Sequence, residues 1–254
     1  MTEEGFERLV READAAPMEG WDFSWLDGRA TEERPPWGYQ RLVAERLGGV
    51  ESVLDVQTGG GEVLGGALER ASRVPRRIAA TESWPPNLEV ARARLASFEA
   101  TVEPAADEGP LPFPDRSFEL VVSRHPTVTI WQEIARVLRP GGAYLSQQVG
   151  PGTNRELTDY LMGPQPVGDG RDPERHRRQA EAAGLQVVTL RPVTLRAEFF
   201  DVGAVVWFLR KVIWTVPDFS VARYEAPLRR LDAQIRRDGP FTTTVTRFLI
   251  EARK

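Results

Sequence analysis

The chain of 254 residues contains no cysteine and only two histidines, His125 and His176. The absence of cysteine excludes disulfide bonds, thiolate nucleophiles and thiolate metal sites. Two histidines are too few for a histidine-rich metal centre, and no carboxylate cluster has the spacing of metal ligands. We therefore expect no metal site.

The chain also lacks an excess of positive charge and a long apolar run. Its formal net charge is −4, so there is no general electrostatic reason to expect nucleic acid or an anionic membrane as a partner. No apolar run approaches the roughly 18 residues that a membrane-spanning helix needs. The start Met1-Thr2-Glu3-Glu4 lacks the basic and then apolar character of a signal peptide. We expect a cytoplasmic protein and leave its oligomeric state open.

The sequence does contain enough apolar residues, 41% of the total, to bury a sizeable core. Between residues 52 and 149, strand-like and helix-like segments alternate, which is typical of a parallel sheet covered by helices on both faces. The predicted strands in this part are Ser52–Val56, Arg77–Thr81, Thr101–Pro104, Phe118–Ser123 and Ala143–Val149.

The pattern is looser at the two ends of the chain. Beyond Gly150 we expect strands at Leu185–Leu190 and Thr242–Ala252. The apolar segment from Asp201 to Trp214 fits either a cap over a ligand pocket or a buried helix. We expect 1–34 to be a segment that packs on the core, and 35–254 to be one domain with a helical insertion at about 201–238. The aromatic residues of the first segment would either close over a site or dock that segment; they are Trp21, Phe23 and Trp25.

A glycine-rich turn follows the first of the predicted parallel strands, in Val53-Leu54-Asp55-Val56-Gln57-Thr58-Gly59-Gly60-Gly61. Glycine lets the backbone approach a nucleotide-like ligand closely, but such a turn alone is a weak signal. Further polar residues follow the other strands: Glu82, Asp107, Ser123-Arg124-His125 and Gln147-Gln148. Because open parallel sheets bind ligands at the carboxyl ends of their strands, these residues mark one candidate site.

Five motifs follow one another in order between Val50 and Val149. They are Val53-Leu54-Asp55 with Gly59 and Gly61; Glu82; Asp107 ahead of Leu111-Pro112-Phe113-Pro114-Asp115; Phe118-Glu119-Leu120-Val121; and Arg136-Val137-Leu138-Arg139-Pro140-Gly141-Gly142. In this order the chain resembles the class I S-adenosylmethionine-dependent methyltransferases, especially the ubiquinone-methyltransferase-like (methyltransferase type 11) branch. The resemblance implies a Rossmann-like α/β fold with a helical cap. Its sheet would have seven mostly parallel strands, the last of them reversed.

The resemblance also implies roles for residues around the turn. Asp55 would hold the turn and help to bind the methionine part of S-adenosylmethionine. Gly59 and Gly61 would let the backbone lie against the cofactor. Trp37 and Tyr39 would cover its methionine end.

The remaining cofactor contacts follow the second and third strands. Glu82 would accept hydrogen bonds from both ribose hydroxyls. Trp84 would pack on the adenine. Asp107 would accept a hydrogen bond from the adenine amino group, with the backbone of Glu108 close by.

The chain departs from the family pattern at Gln57, where glycine is usual. Either the turn is displaced, or the Gln57 side chain hydrogen-bonds the cofactor, or cofactor binding is weakened. We expect binding to be retained, with Gln57 among the contacts. The nicotinamide fingerprint is disfavoured, because it needs glycine at the positions of Gln57 and Glu62.

The expected reaction is methyl transfer to an oxygen, nitrogen or carbon atom of a small molecule. His125 is the candidate base for an acceptor that must lose a proton, and a structural role for its ring remains equally open. Arg124 would bind an acidic acceptor or be solvated, and His176 is expected on an exposed helix face.

Two other functional hypotheses follow from the same residues: a protein that binds S-adenosylmethionine without methyl transfer, and a nicotinamide-dependent oxidoreductase on a related sheet. The main alternative is an S-adenosylmethionine-binding sensor or partner protein without methyl transfer, because of Gln57. A nucleic-acid methyltransferase is disfavoured, since no Asn/Asp-Pro-Pro-aromatic motif follows the fourth strand.

Overall fold

The computed structural model describes residues 3–18 and 22–254. The helices are α1 (Glu3–Ala15), α2 (Tyr39–Leu47), α3 (Glu62–Leu68), α4 (Pro85–Leu95), α5 (Trp131–Val137), α6 (Arg155–Met162), α7 (Pro173–Ala182), α8 (Val202–Lys211) and α9 (Val221–Asp238). The strands are β1 (Ala30–Glu32), β2 (Ser52–Asp55), β3 (Arg77–Glu82), β4 (Thr101–Pro104), β5 (Phe118–Arg124), β6 (Leu138–Val149), β7 (Gln186–Phe199) and β8 (Phe241–Arg253). Within this described part, none of the helices has the length and apolar character needed to cross a membrane.

The strands form one sheet in the order β1-β7-β8-β6-β5-β2-β3-β4. Strands β4, β3, β2, β5 and β6 pair in parallel, and β8 runs antiparallel to β6. The mostly parallel Rossmann-like sheet with a reversed last strand is therefore confirmed. The predicted count of seven strands is wrong by one. The additional strand, β1, is a short Ala-Thr-Glu segment that pairs with the end of β7 and has no apolar alternation to reveal it.

The chain divides into two compact units, and the larger one comprises residues 35–150, 169–193 and 247–254. Alternate side chains of its strands point to opposite faces of the sheet, and each face has its own apolar core. On one face, Val53 and Leu120 pack with residues of α2, α3 and α4. On the other, Leu54 and Val121 pack with residues of α5 and α7. The apolar β5 is thus covered on both faces, as its sequence predicts.

His176 does not lie on an exposed face of α7, and that prediction is wrong. The side chain is buried, its ring centroid lies 5.3 Å from that of Phe248, and its Nε2 is 3.2 Å from the carbonyl oxygen of Gly170. The neighbouring arginines made the segment look solvated, but His176 and Ala180 lie one turn apart and form the buried stripe of α7.

The smaller unit comprises residues 1–34, 151–168 and 194–246. Its core centres on α8, whose Trp207 is 1% exposed. The ring of Trp25 stacks on Trp207 at 5.6 Å, and Phe23 meets it edge-on at 5.7 Å. These two aromatic residues therefore dock the N-terminal segment, while Trp21 lies outside the described residues. The predicted division of the chain into a segment 1–34 and a domain 35–254 stays a prediction.

Candidate active site

The predicted cofactor residues lie at one edge of the sheet, where β2, β3 and β4 end. Asp55 is the last residue of β2, and Glu82 is the last residue of β3. Asp107 follows β4 and is close enough to Glu82 for its charge to raise the pKa of that carboxyl. Parallel pairing alone produces this convergence, because the carboxyl ends of neighbouring parallel strands meet at the same edge.

Asp55 is a buried carboxyl group with few stabilising contacts. Its side chain is 5% exposed and accepts one hydrogen bond, from the hydroxyl of Thr58 at 2.6 Å. Burial raises the pKa of Asp55 to about 7, with smaller contributions from the charges of Glu82 and Glu62, and the Thr58 bond only partly opposes the rise. Asp55 therefore changes charge near neutral pH, and a cationic group beside it would favour the ionised form.

Glu82 is also buried, but it is hydrogen-bonded by three backbone N–H groups. Its Oε2 accepts from Gly59 at 2.8 Å, and its Oε1 accepts from Ser83 at 3.1 Å and from Trp84 at 2.9 Å. Burial nevertheless raises the pKa of this carboxyl above its ordinary value. A carboxylate offers about four acceptor positions, so Oε2 retains room for one further donor.

Gln57 adopts the backbone conformation that glycine usually takes in this turn. Its φ is 57°, in the left-handed region, which costs a residue with a side chain roughly 1–2 kcal/mol. Its Nε2 donates to the carbonyl of Val128 at 2.8 Å, and its Oε1 accepts from the backbone N–H of Thr127 at 2.6 Å. The side chain thus links the turn to the segment after β5, and one N–H of its amide is still available.

A cleft extends from this turn to the segment after β4. Its lining includes Val56, Gln57, Asp107, Thr129 and Ile130. Trp84 is 43% exposed at the start of α4, so its indole is accessible to a ligand. Asp107 is half-buried and Glu108 is exposed.

His125 is held at the end of β5 in a left-handed conformation with φ of 54°. Its ring Nε2 lies 2.9 Å from Nε2 of Gln147, while Oε1 of Gln147 accepts a hydrogen bond from the indole of Trp37 at 2.7 Å. Because the indole can only donate, the Gln147 amide group must donate to His125. His125 is therefore neutral, with its proton on Nδ1. Burial moves its pKa well below the ordinary value, and nearby arginine charges add to that effect.

Two arginines share the sheet face on which Trp37 lies. Arg124 of β5 is the register partner of Gln147, and Arg247 of β8 is the partner of Val149. Register partners and alternate residues of a strand point to the same face of a sheet. Arg124, Gln147 and Arg247 therefore all point to this face.

Two more arginines approach the same place. The guanidinium of Arg191, on β7, lies 5.9 Å from the ring centroid of Trp37. Arg171, before α7, joins Arg124 and Arg247 as the charges that act on the His125 ring. The four residues are named here the arginine cluster: Arg124, Arg171, Arg191 and Arg247. The sequence singled out only Arg124, since the others come from segments whose placement depends on the sheet order.

Residues 54–146 match the family model described as a methyltransferase domain. This match spans a little over a third of the chain, and for that part it confirms the expected methyltransferase domain. The type 11 branch and the family's cofactor, S-adenosylmethionine, were both expected from the sequence and are confirmed. Among the residues that the structure describes, no group of three histidine, aspartate or glutamate side chains could hold a metal ion.

One curated protein and two solved structures are similar to this chain. A malonyl-[acyl-carrier protein] O-methyltransferase of Marinomonas sp. (strain MWYL1) is 31% identical over 137 residues, which cover 49% of this chain and 50% of that protein. The match thus spans about half the length of this curated relative. A candidate methyltransferase from Bacillus halodurans C-125 superposes with a TM-score of 0.59 at 20% identity, over 85% of this chain and 96% of the other. A protein of unknown function from Deinococcus radiodurans R1 has a TM-score of 0.57 at 20% identity, over 98% and 99% of the two chains. These two structures show the same fold.

Proposed function

We propose that this methyltransferase transfers the methyl group of S-adenosylmethionine to an oxygen, nitrogen or carbon atom of a small molecule. The observation that carries the proposal is the pair of buried carboxyls, Asp55 and Glu82, at the carboxyl edge of the sheet. Burial raises the pKa of both. S-adenosylmethionine brings an ammonium group, a sulfonium and two ribose hydroxyls, which are the cations and donors that such carboxylates lack.

The residues around the turn fit this cofactor. Asp55 would attract its ammonium group, and the remaining acceptor position of Glu82 would take one ribose hydroxyl. The free N–H of the Gln57 amide would donate to its carboxylate, while Gly59 and Gly61, with φ of 64° and 77°, keep the backbone compact beside it. Asp107, Trp84 and the backbone of Glu108 are proposed to hold the adenine.

When bound, the cofactor supplies an electrophilic methyl group, and the protein supplies orientation and the exclusion of water. His125 is the candidate catalytic residue. Its Nε2 lone pair accepts from Gln147, so it removes a proton only if the Gln147 amide turns away. With this tautomer, its Nδ1–H would donate a hydrogen bond to the acceptor molecule.

The relative from Marinomonas acts on an oxygen atom, which supports an oxygen nucleophile as one of the three possibilities. The small-molecule acceptor is a proposal, and the cytoplasmic location stays a prediction from the sequence.

Calorimetry with S-adenosylmethionine, S-adenosylhomocysteine and NAD tests the cofactor assignment. We expect both sulfur ligands to bind and NAD not to bind. Absence of binding by both sulfur ligands would refute the assignment. Methyl transfer is then assayed against a panel of small acids, amines and phenols by mass spectrometry of the products.

A further inference from the structure

The arginine cluster concentrates positive charge in a protein whose formal net charge is −4. Three of its members, Arg124, Arg171 and Arg247, lie close enough to the His125 ring for their charges to lower its pKa. In the described part of the chain, no carboxylate lies within ion-pair distance of Arg171 or Arg191. Arg171 and Arg191 differ in this respect from many arginines of the described residues, which pair with a glutamate or aspartate.

The cluster lies beside a chain of hydrogen bonds that ends at the His125 ring. Trp37, Gln147 and the His125 ring form one hydrogen-bonded chain, which fixes the proton of His125 on Nδ1. Both Trp37 and Gln147 are 4% exposed, so this chain is rigidly held. It leaves a neutral N–H of His125 as one more donor beside the guanidinium groups. Guanidinium and N–H donors together form a binding site for anionic oxygen.

The cluster also lies at the same sheet edge as the proposed cofactor site. Arg124 ends β5, which pairs directly with β2, and β2 ends at Asp55. The segment after His125 is linked to the cofactor turn through the bonds of Gln57 to Thr127 and Val128. A molecule bound by the cluster is therefore next to the place where the methyl group is delivered.

We infer that the methyl acceptor carries an anionic oxygen group, a carboxylate or a phosphate, that the arginine cluster binds. The inference rests on the proposed function, since it names the substrate class of the same site. Charge-assisted hydrogen bonds to such a group are stronger than neutral ones, so one removed guanidinium should weaken binding about tenfold or more.

The test uses calorimetry on the full chain saturated with S-adenosylhomocysteine. The probes are malonate, its uncharged analogue malonamide, and inorganic phosphate. The variants are Arg171→Gln and Arg191→Gln, both at exposed positions that should tolerate the change. The control is Arg76→Gln, whose side chain is 88% exposed and pairs with Glu51 ahead of β3.

We expect malonate or phosphate to bind, malonamide to bind at least about tenfold more weakly, and added salt to weaken the binding of the anions. Each cluster variant should lose about tenfold in anion affinity while Arg76→Gln loses none. Selective binding of malonate identifies the group as a carboxylate, and selective binding of phosphate identifies it as a phosphate.

The inference is overturned if malonamide binds as well as malonate, or if Arg76→Gln weakens the anion as much as the cluster variants do. Failure of the proposed function gives a different result, because S-adenosylhomocysteine itself would then not bind. Anion binding without any binding of S-adenosylhomocysteine would overturn the assignment of the anion as a methyl acceptor.

Discussion

Asp55→Asn should make the protein more stable at neutral and alkaline pH. The native pKa of Asp55 is about 7, against an ordinary value of 3.8. Between these two values the native state holds a proton that the unfolded state has lost, so the stability of the wild-type protein falls as pH rises through this range. At about 1.4 kcal/mol for each unit of pKa, the full loss is on the order of 4 kcal/mol.

Asparagine removes this loss without removing the local contact. Its amide oxygen has the shape of the carboxylate oxygen that accepts from Thr58. Below about pH 4 the two proteins should have similar free energies of unfolding, because the carboxyl is protonated in both states. Above about pH 7 the variant should be more stable by up to the full amount.

Urea unfolding of both proteins at a series of pH values measures the difference directly. Asp27→Asn, at an exposed aspartate, reports what the same chemical change does without burial. A difference between wild type and Asp55→Asn that stays constant from acid to alkaline pH would refute the buried-carboxyl argument. The variant should also bind S-adenosylmethionine more weakly, since the cofactor's ammonium group would lose its carboxylate.

Three further variants test individual site residues. Glu82→Gln should weaken S-adenosylhomocysteine binding by about ten- to a hundredfold and lower the melting temperature, because an amide N–H replaces an acceptor facing backbone donors; the exposed Glu89→Gln is its control. Gln57→Gly should weaken the same ligand by about tenfold, whereas tighter binding would show that the side chain obstructs the cofactor. His125→Asn should lower kcat without changing cofactor affinity. Because the pKa of His125 lies well below its ordinary value, the wild-type kcat should have no histidine-dependent limb above neutral pH.

The sheet was predictable from the sequence because the apolar residues of a strand indicate which of its faces are buried. Buried parallel strands such as β2 and β5 contain adjacent apolar residues, Val53-Leu54 and Leu120-Val121-Val122, which point to both faces of the sheet. The ends of those strands then place Asp55, Glu82 and Asp107 together without knowledge of any side-chain contact. The antiparallel direction of β8 is also confirmed, but it was implied only by the resemblance to the family.

The arginine cluster was not predictable in this way. Arg171, Arg191 and Arg247 are distant in the chain, and only the order β7-β8-β6-β5 brings their strands and loops beside His125. The strand β7 also extends to Phe199, well past the predicted end at Leu190. Its later residues alternate between polar and apolar side chains, a strand signal that the prediction did not take into account. Local patterns thus predicted the residues of the proposed cofactor half of the site, while the proposed acceptor half depended on tertiary structure.

The proposed cofactor half and the proposed acceptor half of the site have side chains of opposite charge, and this affects which atom of the acceptor can be methylated. Asp55 and Glu82 suit a cationic cofactor, and the arginine cluster suits an anionic acceptor. If the anionic group were itself the nucleophile, methylation would remove its charge, and its contacts to guanidinium would weaken as the transition state is approached. Contacts that are stronger in the ground state than in the transition state slow a reaction. We therefore expect the anionic group to anchor the acceptor and a second atom of the acceptor to receive the methyl group. Mass-spectrometric fragmentation of the product locates the methyl group, and a methyl on the anchoring oxygen would contradict this division of roles.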